Sequence, residues 1–222
     1  MSMTNRRRGL FITFEGLDGS GKSTQLRLLA ERLRRQGLAV LETAEPGGGR
    51  IGQQIRRILL DAANQELTAT SELLLMFACR AQNVDELILP ALAKGEIVLS
   101  DRFTDSSIAY QGYGRGLGTE VVLDIDRVAC RGLIPDLTLC IDIDPLVSLA
   151  RAHSRNRNQD GAETRLDEQD LDFYRRVHEG YRQLASEEPK RIRMIDGSRS
   201  PDAIAADVWA EVSALISARA AS

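Results

Sequence analysis

The stretch Gly16-Leu17-Asp18-Gly19-Ser20-Gly21-Lys22-Ser23 constrains this chain more than any other part of it. It satisfies G-x-x-x-x-G-K-[ST], and its surroundings fit. An apolar run, Leu10 to Phe14, precedes it as a buried strand, and a helical pattern with leucines at 26, 29 and 33 follows from Lys22 to Gln36. Glycines let such a loop curl until successive backbone N–H groups point inward as an anion nest. The helix behind it turns its positive dipole end to the same point. Gly16 to Ser23, with Thr24 next on the helix, is therefore expected to hold the phosphates of a nucleotide. Lys22 is expected to reach the β- and γ-phosphates, and the Ser23 hydroxyl to ligate Mg²⁺.

The rest of the chain alternates in the same way. Ala39 to Thr43, Ile97 to Ser100, Leu137 to Ile143 and Ile192 to Ile195 read as short apolar strands. Glu72 to Lys94 reads as a long helix stopped by Gly95, and Pro201 to Ala218 as a last helix capped by Ser200. Short apolar strands separated by helices predict a parallel α/β sheet covered on both faces. With 222 residues and 43% hydrophobic content, one core and one domain over 9–222 are expected. Met1 to Arg8 is polar and basic and reads as a disordered tail without the apolar stretch of a signal peptide. No apolar run approaches the roughly 18 residues needed to span a membrane. A net charge of −3 supplies no global positive field for nucleic acid. Cys79, Cys130 and Cys140 lack metal-site spacing and read as buried thiols of a reducing cytoplasm. His153 and His178 sit in charged segments and are given no catalytic role. One composition break, Arg151 to Glu168, reads as a mobile excursion within the domain.

Three further segments bear on the acceptor. Glu45-Pro46-Gly47-Gly48 follows the second strand. Phe77-Ala78-Cys79-Arg80-Ala81-Gln82 lies on the long helix. Asp101-Arg102-Phe103 follows the third strand, with Ser106, Ser107, Ala109, Tyr110, Gln111 and Gly112 beyond it. Strand ends on one edge of a parallel sheet converge where ligands bind. Arg80 and Arg102 are expected to face one pocket there, where two guanidinium groups suit a dianionic phosphate. The absence of an Asn-Lys-x-Asp sequence disfavours a GTPase, and an Arg-rich excursion favours a kinase that closes over its substrates.

In this order, the P-loop, E-P-G-G, F-A-x-R-A-Q, D-R-[FY] and A-Y-Q-G segments resemble the thymidylate kinase family, over roughly 9–209. The resemblance implies a P-loop NTPase fold with a five-stranded parallel sheet and a mobile lid near 151–168. It implies a cytoplasmic homodimer that uses ATP and Mg²⁺ to convert dTMP to dTDP, with no nucleic acid or membrane partner. By this resemblance Asp18 meets the dTMP sugar, and Glu45 and Pro46 line the acceptor site. Phe77, or its neighbour Met76, stacks on thymine. Arg80 lies near the base and phosphate, Arg102 clamps the acceptor phosphate, and Asp101 lies near Mg²⁺. Ser107, Tyr110 and Gln111 read base and sugar. Lys22 and Arg102 are expected to be catalytic with one lid arginine, Arg155 or Arg157.

Departures from the family pattern are Ala44 before Glu45, Gly49 after Gly48, Asn83 where a histidine often stands, and Thr164-Arg165-Leu166-Asp167 at the lid base, where Asp167 is not ranked above Glu168. Gly19 occupies the P-loop position that carries an arginine in some members, which shifts catalytic charge onto the lid. The rival readings are another nucleotide kinase of this fold and a non-catalytic nucleotide switch. Among the lid arginines, 151, 155, 157 and 165, the set is expected to be needed for turnover. Replacing all four by alanine should abolish ADP release in a coupled assay, and surviving turnover would refute the idea.

Overall fold

The computed structural model describes residues 8–157, 165–166 and 169–221. Its five strands are β1 (Phe11–Glu15), β2 (Val40–Ala44), β3 (Ile97–Asp101), β4 (Leu137–Asp142) and β5 (Ile192–Asp196). Each lies within one residue of its expected bounds. All neighbours pair parallel, in the order β2-β3-β1-β4-β5. The central strand is thus the one that feeds the glycine-rich loop. Its register with β3 pairs Phe14 with Asp101, so both strands end at the same edge.

Strand alternation divides the core. Ile12, Phe14, Leu99, Leu139 and Ile141 face α1 (Lys22–Arg35) and the last helix, α9 (Pro201–Ala221). Phe11, Val98, Cys140 and Ile192 face the opposite side. There they meet α3 (Ala69–Asn83), α6 (Thr119–Ala129) and α8 (Leu171–Glu187). Both faces of β1 are fully buried, which is why its sequence is apolar throughout instead of alternating. The three cysteines are buried and free.

The helix expected over 72–94 starts earlier, at Ala69, where the Thr68 hydroxyl accepts from the Ser71 N–H. A π-helical turn, Val84–Ile88, then interrupts it before α4 (Leu89–Ala93). Pro90 explains the interruption. It has no N–H for a regular helical bond, and its ring crowds the carbonyl four residues back. Helix α2 (Arg50–Leu60), the short α5 (Thr104–Ser107) and a second π-helical segment, Ile108–Gly114, had no strong sequence signal. The charged stretch expected to be a mobile excursion begins inside α7 (Pro145–Arg157). Arg8, assigned to the tail, donates to both carboxylate oxygens of Asp136, at 3.0 and 2.9 Å. The other tail residues, 1–7, lie outside the described residues.

Candidate active site

The loop after β1 has a backbone that constrains its residues. Gly16 has φ +126°, and a Cβ there would lie 2.3 Å from the Ile141 carbonyl oxygen. Gly21, at φ 96°, turns the chain into α1. The Lys22 side chain is buried, and its ammonium donates to the Leu17 carbonyl at 2.7 Å. Burial, then the nearby Arg102 charge, pushes Lys22 down to about 8. Leu17 itself is a core residue, so the loop offers its backbone there and not its side chain. At Gly19, φ is +73° and a Cβ would lie 2.8 Å from the Arg151 Cβ. Arg151 Nη1 donates to the Gly19 carbonyl at 3.1 Å. Helix α7 therefore fills the space beside Gly19 and brings Arg151, one of the four arginines singled out between 151 and 165, onto the loop.

The end of β3 meets this loop. Ser23 Oγ donates to Asp101 Oδ2 at 2.5 Å. Arg102 follows with φ 75°, a left-handed conformation that costs a non-glycine residue about 1–3 kcal/mol. Two bonds hold it: its N–H donates to the Phe14 carbonyl at 2.9 Å, and Ser100 Oγ to the Arg102 carbonyl at 2.7 Å. Its guanidinium then crosses to the P-loop. Nη2 donates to Asp18 Oδ1 at 2.6 Å and to the Tyr110 hydroxyl at 3.1 Å. Tyr110 in turn donates to Asp18 Oδ2 at 2.7 Å. Nη1 donates to the Gly16 carbonyl at 3.1 Å, to Ser106 Oγ at 2.9 Å and to the Tyr181 hydroxyl at 3.2 Å.

A second buried charge lies behind the first. Arg80 Nε donates to Glu45 Oε2 at 2.5 Å, both side chains almost fully buried. Arg80 Nη2 donates to the Phe103 carbonyl and to Ser107 Oγ, each at 3.0 Å. The guanidinium lies 4.5 Å from the centre of the Phe77 ring. Its buried Nη1 has no hydrogen-bond partner among the described residues. Asn83 serves this pair: its Nδ2 donates to Glu45 Oε1 at 3.0 Å, and its Oδ1 accepts from Thr43 Oγ1 at 3.0 Å. Pro46 follows Glu45 through a cis peptide, and its carbonyl accepts from Arg56 at 2.8 Å. Met76 packs elsewhere, with Leu59 and Leu60.

Gln111 is the expected site residue placed least as anticipated. Its Nε2 donates to Glu72 Oε1 at 2.9 Å. Glu72 also pairs with Arg115 at 3.0 Å and with Arg165 at 2.8 Å. Burial pushes the Glu72 carboxyl up, but Arg115, then Gln111 and Arg165, hold it below the ordinary range. Arg165 is buried, and its Nε donates to the Leu59 carbonyl at 2.6 Å. Arg155 and Arg157 lie on α7, but their side chains are outside the described residues, as are Thr164, Asp167 and Glu168.

Glu15, Glu72, Arg115 and Tyr181 are among the residues of these networks that were not assigned from the sequence. Glu15 left one signal, a carboxylate closing an apolar strand. Tyr181 left none, because it shares its helical face with core residues Tyr174 and Val177. Glu15 is fully buried, with its oxygens accepting from the Phe103 N–H at 2.7 Å, the Tyr181 hydroxyl at 2.9 Å and Ser106 Oγ. Burial, then the Asp105 charge, raises its carboxyl from 4.5 to about 7. Asp105 is held beside it by Arg191, at 2.6 Å.

Ser23 and Asp101 set two hard oxygens side by side next to Lys22. That donor set suits Mg²⁺, which takes one or two protein oxygens, keeps waters and completes its shell with phosphate oxygens. Among the described residues no group of three His, Cys, Asp or Glu gathers into a metal site of its own.

A model of the thymidylate kinase family matches residues 14–208. The chain is 48% identical to the thymidylate kinase of Solidesulfovibrio magneticus over 209 residues, 93% of this chain and all of that one. It is 48% identical to that of Pelotomaculum thermopropionicum over 201 residues, covering 90% and 91% of the two chains. It also resembles the crystal structure of thymidylate kinase from Ehrlichia chaffeensis, with a TM-score of 0.75 and 32% identity over 93% of this chain and 99% of that one.

The Glu15 geometry predicts a pH effect. A carboxyl with its folded pKa raised from 4.5 to about 7 binds its proton more tightly in the fold than in the unfolded chain. Its contribution to stability is full below pH 4.5 and falls as pH rises towards 7. Glu15→Gln removes that titration. Urea unfolding of both proteins across this window should show wild type losing about 1–3 kcal/mol relative to the variant as pH rises. A constant difference would refute the assignment.

Proposed function

The chain belongs to the thymidylate kinase family, and on that premise we propose that the cluster at the ends of β1, β2 and β3 is where a γ-phosphoryl group passes from ATP to dTMP. The products are ADP and dTDP. The observation that carries the assignment is the reach of Arg102. Its guanidinium joins Asp18 of the donor loop to Ser106 and Tyr110 of the acceptor side. An anion held by Arg102 therefore sits beside the phosphate-binding loop.

A phosphate monoester has a second pKa near 6, so dTMP is largely dianionic at neutral pH. Its oxygen is already a nucleophile, and no general base is assigned. The protein's work is alignment and neutralisation of charge on the migrating group. Backbone N–H groups of Gly16 to Thr24 and the dipole of α1 hold the donor phosphates, with Lys22 on the β- and γ-phosphates. Ser23 and Asp101 would hold Mg²⁺, which neutralises phosphate charge when bound. Arg102 holds the acceptor phosphate, and Asp18 and Tyr110 meet the sugar. Glu45, Pro46, Phe77, Arg80 and Ser107 line the base side. The Nη1 of Arg80, which has no partner among the described residues, supports this, because a buried guanidinium N–H needs an acceptor and a base carbonyl is one. Gln111, tied to Glu72, meets the base from the far end.

Of the four lid arginines, Arg151 and Arg165 have described surroundings. Arg165 anchors the lid base to Glu72 and Leu59. Arg151 lies against Gly19, where it supplies charge next to the phosphates. Arg155 or Arg157 is assigned the catalytic contact. We place the enzyme in the cytoplasm, where free thiols stay reduced. No helix among the described residues is long and apolar enough to cross a membrane.

Activity should follow the acceptor. In a coupled assay with dTMP, dUMP, dCMP, dGMP and AMP, dTMP should have the highest kcat/KM. Loss of one methyl should lower dUMP by roughly 10- to 200-fold. Arg102→Ala should lower kcat/KM for dTMP by about 100-fold. Preference for another nucleotide would refute the substrate, and an unchanged Arg102→Ala would refute the clamp.

We assign the second subunit of a homodimer to the face of α3 and α6. These helices and the loop after them expose Leu74, Val121, Val128 and Ile134, large apolar side chains that water would otherwise cover. Sedimentation equilibrium should give twice the chain mass, and Val128→Asp with Ile134→Asp should shift it to the monomer. A wild-type monomer at micromolar concentration would refute the assignment.

A further inference from the structure

Glu15 belongs to none of the ligand contacts assigned above, yet its carboxylate sits directly behind the acceptor clamp. Arg102 Nη1 has two hydrogens and faces three oxygens: the Gly16 carbonyl, Ser106 Oγ and the Tyr181 hydroxyl. A hydroxyl accepts from a guanidinium only when its own proton turns elsewhere. Here the other directions are closed. Ser106 Oγ and the Tyr181 hydroxyl lie 2.8 Å apart, and both contact Glu15 Oε2. Their two protons therefore go to the carboxylate or to each other, and their lone pairs are left to Arg102.

We propose that Glu15 is a positioning residue for Arg102, acting through Ser106 and Tyr181. The proposal rests on the reading of Arg102 as the clamp on the acceptor phosphate. Glu15 is itself held in place from the other side: its other oxygen accepts from the Phe103 N–H, one residue beyond Arg102. The carboxylate thus fixes both the backbone after the clamp and the polarity of the hydroxyls beneath it. Tyr181 comes from α8, on the far side of the lid in sequence, so the clamp is also fastened to that helix. A carboxamide at position 15 would present N–H to the two hydroxyls. Their protons would then turn towards Arg102 and push its guanidinium off the phosphate.

The test is steady-state kinetics at pH 8 on Glu15→Gln, Tyr181→Phe, Arg102→Ala and the double variant Glu15→Gln/Arg102→Ala. Tyr181→Phe keeps the buried ring and carries the test if Glu15→Gln does not fold. Each of the two relay variants should raise KM for dTMP about tenfold, with KM for ATP changed less than about twofold. In the Arg102→Ala background, Glu15→Gln should add no further loss, because the clamp through which it acts is gone. Equal losses in both backgrounds, equal effects on the two KM values, or a wild-type Tyr181→Phe would overturn the proposal. An Arg102→Ala enzyme with unchanged KM for dTMP would instead overturn the clamp reading beneath it.

Discussion

A guanidinium largely withdrawn from water needs acceptors for its N–H groups, and Arg102 makes that demand where the loop after β1 meets the end of β3. The acceptors come from four places. Asp18 and the Gly16 carbonyl belong to the P-loop, Ser106 to α5, Tyr110 to the π-helical segment after it, and Tyr181 to α8. The left-handed backbone at Arg102 is the local cost of aiming the side chain across the gap between β3 and β1. The parallel register makes the reach short, because Phe14 and Asp101 are paired and the two loops leave the sheet at one level.

The second pair, Arg80 with Glu45, is buried more deeply, and it explains a departure from the family pattern. Asn83 stands where a histidine is common, and it supplies the donor that the outer oxygen of Glu45 requires. Its own carbonyl oxygen is satisfied by Thr43. An amide can donate and accept at once without carrying charge, which suits a site already holding an ion pair.

Much of this was legible in the chain. The loop, the two arginines and the strand order of the motifs all depend on local chemistry that residue types reveal. Gly16 must be glycine because of its φ and the Ile141 carbonyl, and the motif states as much. The π-helical turn before Pro90 was foreshadowed by the proline but hidden by an unbroken apolar pattern. Glu72 was hidden for another reason. It lies on a helix face whose partners, Arg115 and Arg165, are 43 and 93 positions away. Gln111 was assigned to the base by resemblance, and only the folded chain reveals the carboxylate that orients it.

Sequence by itself determined that Gly16 to Ser23 would form a glycine-rich loop between a strand and a helix, since an anion nest and a helix dipole are local properties of backbone and glycine. It also determined that a parallel sheet would carry Arg102 to the edge where that loop leaves β1. Tertiary structure alone decided that Arg165 is buried and that Arg151 meets Gly19, and it alone joined Glu15 and Tyr181 to the surroundings of Arg102. The reason is physical. Hydrogen-bond satisfaction of a buried charge is a condition on space, and residues 166 positions apart meet it only after the chain has folded.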